Sequence, residues 1–275
     1  MSSEPMNSRT ASRVLFAIFV AVGLFTGIRS LAKAPVAPVA WAVTLGFALL
    51  QALVVWALVR RHPGRPVNPA FVWAGLLGGF AGGIAIPSNS ALVAIQSEMG
   101  WPAYVAGMVS PTEEELVKAL AVLLIAVGWL RIRRPIEAAV LGIAVGGGFS
   151  IMENISYINR FALESFTSDA GGALEGALVR LSACPFAHSI YTGLAAWGIG
   201  CLLARTDKSA GWRVGRMLGW FAVGFAVHGA FNASPDIAEL VSEEVQAVAF
   251  LVVIVLQWVL ALWLYARTRK IGRRS

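Results

Sequence analysis

The chain has 275 residues, of which 57% are hydrophobic and 13% charged, with a formal net charge of +7 and a mean hydropathy of +0.71. This composition excludes an ordinary soluble domain and predicts a polytopic membrane protein. The positive balance marks no nucleic-acid partner, because Arg and Lys sit in short clusters between apolar runs, where they set orientation in a bilayer.

Apolar runs of bilayer-crossing length fall near 14–33, 37–59, 70–95, 103–130, 136–158, 181–204, 213–233 and 246–266. The fold expected is all-α: a polytopic transmembrane helix bundle of about eight spans, forming a single integral membrane domain over 1–275 with short polar tails at 1–12 and 267–275. The first run, VLFAIFVAVGLFTGI behind Arg9 and Arg13, imitates a secretory signal with AKA at 32–34 as its cleavage site. Pro35 directly after AKA disfavours cleavage, so an uncleaved first span is expected. In the third run, IPSNS at 86–90 is expected to act as an ordinary helix terminus. Gly75, Gly79 and Gly83, and Gly142 and Gly146, repeat at a spacing that lets helices pack closely in lipid. Cys184 and Cys201 share the sixth run about 25 Å apart, too far for a disulfide.

Basic clusters follow every second run: Arg60, Arg61 and Arg65; Arg131, Arg133 and Arg134; Arg205, Lys208, Arg213 and Arg216; and Arg267, Arg269, Lys270, Arg273 and Arg274. The opposite loops carry Glu98, then Glu164, Asp169 and Glu175, then Asp236, Glu239, Glu243 and Glu244. Both termini are therefore expected in the cytoplasm and the acidic loops outside.

The fourth run opens with SPTEEELVKAL, although a charge at mid-membrane costs roughly 2.5–3.5 kcal/mol even on a lenient scale. Entering from outside near 103, it puts Glu113, Glu114, Glu115 and Lys118 about 15–22 Å deep. Glu153, Asn154 and Tyr157 fall in the outer third of the fifth run, His188 and Thr192 about 10–17 Å into the sixth, and His228 and Asn232 in the outer part of the seventh. Glu114 and Lys118, Glu153 and Tyr157, His188 and Thr192, and His228 and Asn232 are i, i+4 pairs, each presenting one helix face. Polar groups from four helices at one depth read as a site rather than as structural glue.

Such a set supports hydrolysis. A carboxylate near a histidine can deprotonate water, and a second histidine with an amide can donate to an oxyanion. The same His, His, Glu composition also suits one zinc ion with an open position for water. Ser189 only adjoins His188 and points about 100° away on a helix, so a serine nucleophile has no comparable support.

In order along the chain, Pro111, Glu114, Glu115 and Lys118 form P-x-x-E-E-x-x-K, GGGFSIMENISY carries Phe149, Glu153, Asn154 and Tyr157, and FAHSIYT and HGAFN follow. This series resembles the PrsW-type intramembrane proteases, distant relatives of the CAAX-processing and bacteriocin-processing membrane proteases, and covers a protease-like core at 103–235. The resemblance implies cleavage of a membrane-anchored protein near the extracytoplasmic side of a bacterial cell membrane, as with members that begin anti-sigma-factor degradation. By analogy with the CAAX-type relatives, Glu114 would activate water with His188, while His228 and Asn232 would stabilise the oxyanion. Glu115 and Glu153 would orient partners or bind metal, with Lys118, Asn154 and Tyr157 in support; His188, His228 and Glu153 are the expected ligand set. Relatives are described both as metal-dependent and as glutamate-dependent, and the residues leave that choice open. Glu113 stands where the family pattern has an apolar residue. The alternatives are a proton- or cation-coupled transporter, for which no repeat or paired broken helices are evident, and a noncatalytic membrane scaffold, which only a cleavage assay separates from a protease.

Overall fold

The computed structural model describes residues 7–32, 36–183 and 185–274. Residues 33–35, which hold most of the cleavage-like AKA and Pro35, and Cys184 lie outside them. The described residues form eleven α-helices and no strand: α1 Ser8–Leu31, α2 Pro38–Arg60, α3 Phe71–Gly79, α4 Ala85–Glu98, α5 Ala103–Val109, α6 Pro111–Gly128, α7 Pro135–Glu164, α8 Asp169–Ser182, α9 Ala187–Ala204, α10 Ala210–Glu239 and α11 Glu243–Arg274. The protein is an all-α integral membrane protein, with 85% of it helical. The polar ends 8–12 and 267–274 continue α1 and α11 as helix.

Among the described residues, seven helical segments are long and apolar enough to cross a membrane: α1, α2, the run from α3 to α4, α7, α9, α10 and α11. The expected fourth span, 103–130, is divided into two helices. Pro111 has no N–H to bond back to Gly107, so α5 ends at Val109 and α6 begins at Pro111. Glu113 and Glu114 consequently stand in the first turn of α6, where the helix dipole favours negative charge. The expected terminus at IPSNS is absent too, because Pro87 lies in the first turn of α4, where a missing N–H breaks no helical bond. The irregularity comes earlier, as a 3-10 segment over Phe80–Ile84. There Gly82 lies against the Phe149 ring and Gly83 against the Gly23 carbonyl, so α1 and α7 squeeze the chain from two sides. A third difference lies between the fifth and sixth runs, where the acidic loop contains α8, capped by Ser168 through the Gly171 N–H at 3.0 Å.

Helix α7 is the axis of the bundle, with 89% of its most apolar stretch buried, and it packs on α2, α3, α8 and α9. Two glycines set its close approaches. A Cβ on Gly79 would lie 2.3 Å from the Phe149 nitrogen, and one on Gly146 would lie 2.2 Å from the His188 carbonyl oxygen. Any side chain at Gly146 would push α9, and with it His188, away from α7. Cys201 is a free, buried thiol on α9.

One tie closes the end of the bundle carrying the 61–65 loop. The Gly64 N–H donates to His62 Nδ1 at 3.0 Å, and His62 Nε2 lies 3.2 Å from Thr268 Oγ1 of α11. Burial, and then the nearby Arg269 charge, lower the His62 pKa from 6.5 to about 4. The unfolded chain thus binds the proton more tightly than the folded one. The stabilisation is complete above pH 6.5 and is lost as pH falls through 4. Hydrogen exchange at Gly64 is expected to accelerate as pH is lowered from 6.5 to 4, relative to His62→Gln, which lacks that titration. An unchanged ratio between the two proteins would refute the tie.

Candidate active site

Helices α7, α9 and α10 meet around α6. Lys118, Glu114 and Glu115 are on α6, Glu153 on α7, His188 and Tyr191 on α9, and His228 and Asn232 on α10. Lys118 is fully buried, 2.6 Å from Glu115 Oε1 and 3.6 Å from Glu114 Oε2. Its Nζ also donates to His188 Nδ1 at 3.0 Å and sits 4.2 Å from the centre of the Phe149 ring.

The histidines repeat one arrangement. An ionised carboxylate can only accept, so His228 Nδ1 donates to Glu115 Oε1 at 2.9 Å and His188 Nε2 donates to Glu153 Oε2 at 3.1 Å. The inward nitrogens, His228 Nε2 and His188 Nδ1, therefore carry lone pairs. Tyr191 stacks on His228 with centroids 4.5 Å apart and planes at 15°, and Gln257 of α11 donates to the Tyr191 hydroxyl.

Between the inward nitrogens lies Glu114 Oε2, 3.8 Å from His188 Nδ1 and 3.6 Å from His228 Nε2. This oxygen is buried and accepts no hydrogen bond among the described residues, whereas Oε1 of the same carboxylate accepts from Asn89 Nδ2 at 2.8 Å. Glu114, His188 and His228 offer three ligand atoms within 4.8 Å of one another. The donors suit a divalent ion on three counts: two unprotonated imidazole nitrogens, of which His188 Nδ1 would have to be released by Lys118, a carboxylate oxygen that accepts no hydrogen bond, and a carboxylate behind each imidazole to orient it. Charge points the same way, since Glu114, Glu115 and Glu153 face two fixed cations, Lys118 and Arg180, leaving one negative charge for a proton or a cation to offset.

The structure thus brings Glu114, Glu115, Lys118, Glu153, His188, His228 and Asn232 into one network. Asn232 Nδ2 lies 3.3 Å from both His228 Nε2 and Ser110 Oγ. Other sequence-predicted residues stand apart from the centre. Asn154 Nδ2 donates to Gln51 Oε1 at 2.9 Å, Tyr157 is exposed near Arg180, and Thr192 is buried against Gly142 with a hydroxyl that bonds to nothing described. Glu113 is partly exposed and enters none of the cluster's ion pairs. Of the expected ligands His188, His228 and Glu153, the two histidines converge with the Glu114 carboxylate, whereas Glu153 faces Arg180 and the outer nitrogen of His188.

Three contributors went unrecognised in the sequence. Asn89 was visible only as part of IPSNS, and Gln51 only as a polar residue in an apolar run. Arg180 had a clearer signal, being a basic residue on the side otherwise marked by acidic loops. A cavity of about 440 Å³ is lined by Glu114, His188 and His228, with Arg180, Asp236 and Phe250 also among its walls.

A family model described as PrsW family intramembrane metalloprotease matches residues 62–262. No curated protein and no solved structure matches the chain.

Proposed function

The chain belongs to the PrsW family of intramembrane metalloproteases, and from that premise we propose that Glu114, His188 and His228 form the hydrolytic centre for a membrane-anchored protein substrate. Membership makes the protein an integral membrane peptidase with a membrane-embedded protein as its substrate. The observation that carries the residue assignment is the buried Glu114 Oε2, which accepts no hydrogen bond and faces His188 Nδ1 and His228 Nε2.

An ion held by Glu114, His188 and His228, zinc being the one their chemistry suits, would acidify its bound water and polarise the scissile carbonyl. Around it the chain's own groups have separate tasks. Asn89 holds Glu114 Oε1 and leaves Oε2 directed into the gap. Without an ion in that gap, Oε2 is free to take the proton of the attacking water as the water oxygen bonds to the carbonyl carbon, and to return it to the leaving amine as the C–N bond breaks. Asn232 Nδ2 is the donor to the oxyanion. His228 has already committed its N–H to Glu115, so its Nε2 lone pair serves a cation better than an oxyanion. Lys118 keeps Glu115 ionised, and Glu115 in turn keeps the His228 ring in place.

With α5 and α6 together counted as one crossing, the basic clusters after every second span support cytoplasmic termini and cleavage in the extracytoplasmic part of the substrate; residence in a bacterial cell membrane and an anti-sigma-factor-like substrate rest on the family resemblance alone. The test is purified protein in detergent with a panel of single-span substrates. We expect about one zinc per chain, reversible loss of cleavage on chelation, no cleavage by His188→Ala, and cut sites mapping to the extracytoplasmic third of the substrate span. Full activity in metal-free protein would remove the ion from the reading. Cut sites in the cytoplasmic half would reverse the orientation.

A further inference from the structure

The groups described so far lie on α6, α7, α9 and α10, but the network has an outer member on α8. Arg180, in the last turn of that helix, donates through its NH2 group to Glu153 Oε2, the same oxygen that receives His188 Nε2. Its Nε donates to Asn154 Oδ1, and its guanidinium lies 4.5 Å from the centre of the Tyr157 ring. The other end of the Asn154 amide donates to Gln51 of α2, whose own amide donates to the Pro185 carbonyl just before α9. Arg180 is thus clamped on three sides, and Glu153 and Arg180 are each about one-fifth exposed, in the wall of the cavity that Glu114 also lines.

We propose that Arg180 is a positioning residue for hydrolysis: it fixes the Glu153 carboxylate so that Glu153 Oε2 holds His188 with Nδ1 facing Glu114. This rests on the assignment of His188 to the hydrolytic centre. The physical need is specific. A glutamate has three rotatable bonds, the last of them a nearly free carboxylate torsion, and at the cavity wall Glu153 would turn toward water if His188 were its only partner. A guanidinium presents a planar fork of donors, and here the fork spans Glu153 and Asn154, neighbours on α7. Carboxylate orientation is thereby tied to backbone that Gly146 holds close to α9. The position of Arg180 at the end of α8 also suits its charge, since a cation there meets the negative end of the helix dipole. Arg180 touches neither the gap nor Glu114 directly, so it acts through Glu153.

The alternative use of an arginine at a cavity wall is direct substrate binding, and the two uses separate experimentally. Arg180→Ala, Arg180→Gln and Arg180→Lys are compared with wild type, and Arg180→Ala is combined with Glu153→Gln, using one single-span substrate. The expected result is a roughly 10- to 100-fold fall in kcat for Arg180→Ala, the usual scale for a group that orients a catalytic or ligating histidine, with KM changed less than about twofold. Arg180→Lys should recover most of that loss and Arg180→Gln part of it, with thermal melting near wild type. Because Arg180 acts through Glu153, the double variant should be no slower than Glu153→Gln alone, a non-additivity that a purely structural role would not produce. A rise in KM that persists in the Glu153→Gln background would overturn the proposal in favour of substrate binding, and additive losses would overturn it in favour of a structural role. If Glu153→Gln is as active as wild type while Arg180→Ala is impaired, Arg180 does not act through Glu153. If His188→Ala cleaves normally, the assignment of the hydrolytic centre fails instead.

Discussion

Glu114→Gln is expected to lower cleavage at least about 100-fold, the scale of a lost acid/base group, with the folded protein largely intact. The amide is nearly isosteric and can keep an oxygen toward Asn89, yet it cannot take a proton at the atom now facing His188 and His228. Glu115→Gln is expected to lose a comparable factor by another route. Its Oε1 receives both Lys118 at 2.6 Å and His228 Nδ1 at 2.9 Å, and an amide oxygen there no longer holds the imidazolyl N–H with the strength of a carboxylate. Glu113→Gln should cost under about tenfold, because successive residues turn about 100° on a helix and Glu113 points out of the cluster. Ion content separates the two duties of Glu114. Retention of about one ion per chain with lost turnover would assign it to proton transfer, while loss of ion and turnover together would assign it to ligation. Near-wild-type cleavage by Glu114→Gln beside inactive Glu113→Gln would remove Glu114 from the centre altogether.

Lys118→Met is expected to produce the largest loss of stability of any single change at the site. The ammonium and the Glu115 carboxylate are both fully buried, and removing one partner of such a pair leaves an uncompensated charge at a cost of about 3–5 kcal/mol. For a chain of this size that corresponds to a fall in melting temperature on the order of 10 °C. The double variant Lys118→Met with Glu115→Gln should recover most of the loss, since it restores the wild-type balance of one net negative charge in the cluster where the single variant buries two. Melting of Lys118→Met at the wild-type temperature would mean that Glu115 is neutral in the folded protein, and the charge balance at the site would have to be redrawn.

Both expectations began with a conflict visible in the linear chain, three glutamates and a lysine at the head of an apolar run. Polar residues are so costly inside a bilayer that each one in an apolar run is conspicuous. That is why Glu114, Glu115, Lys118, Glu153, His188, His228 and Asn232 could be picked out together. The all-α architecture was legible for the same reason, since lipid leaves the backbone few alternatives to helix. Helix interruptions were less legible. Pro111 divides the fourth run because it removes a bond that the preceding turn needed, whereas Pro87, the same residue type, sits harmlessly in a first turn. Only the position of each proline relative to its own helix start decides the outcome, and at the third run that start was set by crowding of Gly82 and Gly83 against α7 and α1.

What the sequence by itself determined is therefore the class of the molecule, its approximate spans, the side chains able to carry chemistry, and the rotation that separates Glu113 from its neighbours. All of these follow from local rules: hydropathy over a run, 3.6 residues per turn, and the penalty on polar groups in lipid. Tertiary structure alone decided which atoms meet. It set Glu114 rather than Glu153 between the two histidines, gave each imidazole a carboxylate behind it, and brought Arg180 and Asn89 to the cluster from helices that no periodicity connects to it. Those pairings link residues as far apart as Glu115 and His228, 113 positions along the chain. They depend on how closely helices approach at contacts such as Gly146 against the His188 carbonyl, and a distance between helices is a property of the packed bundle that no single segment encodes.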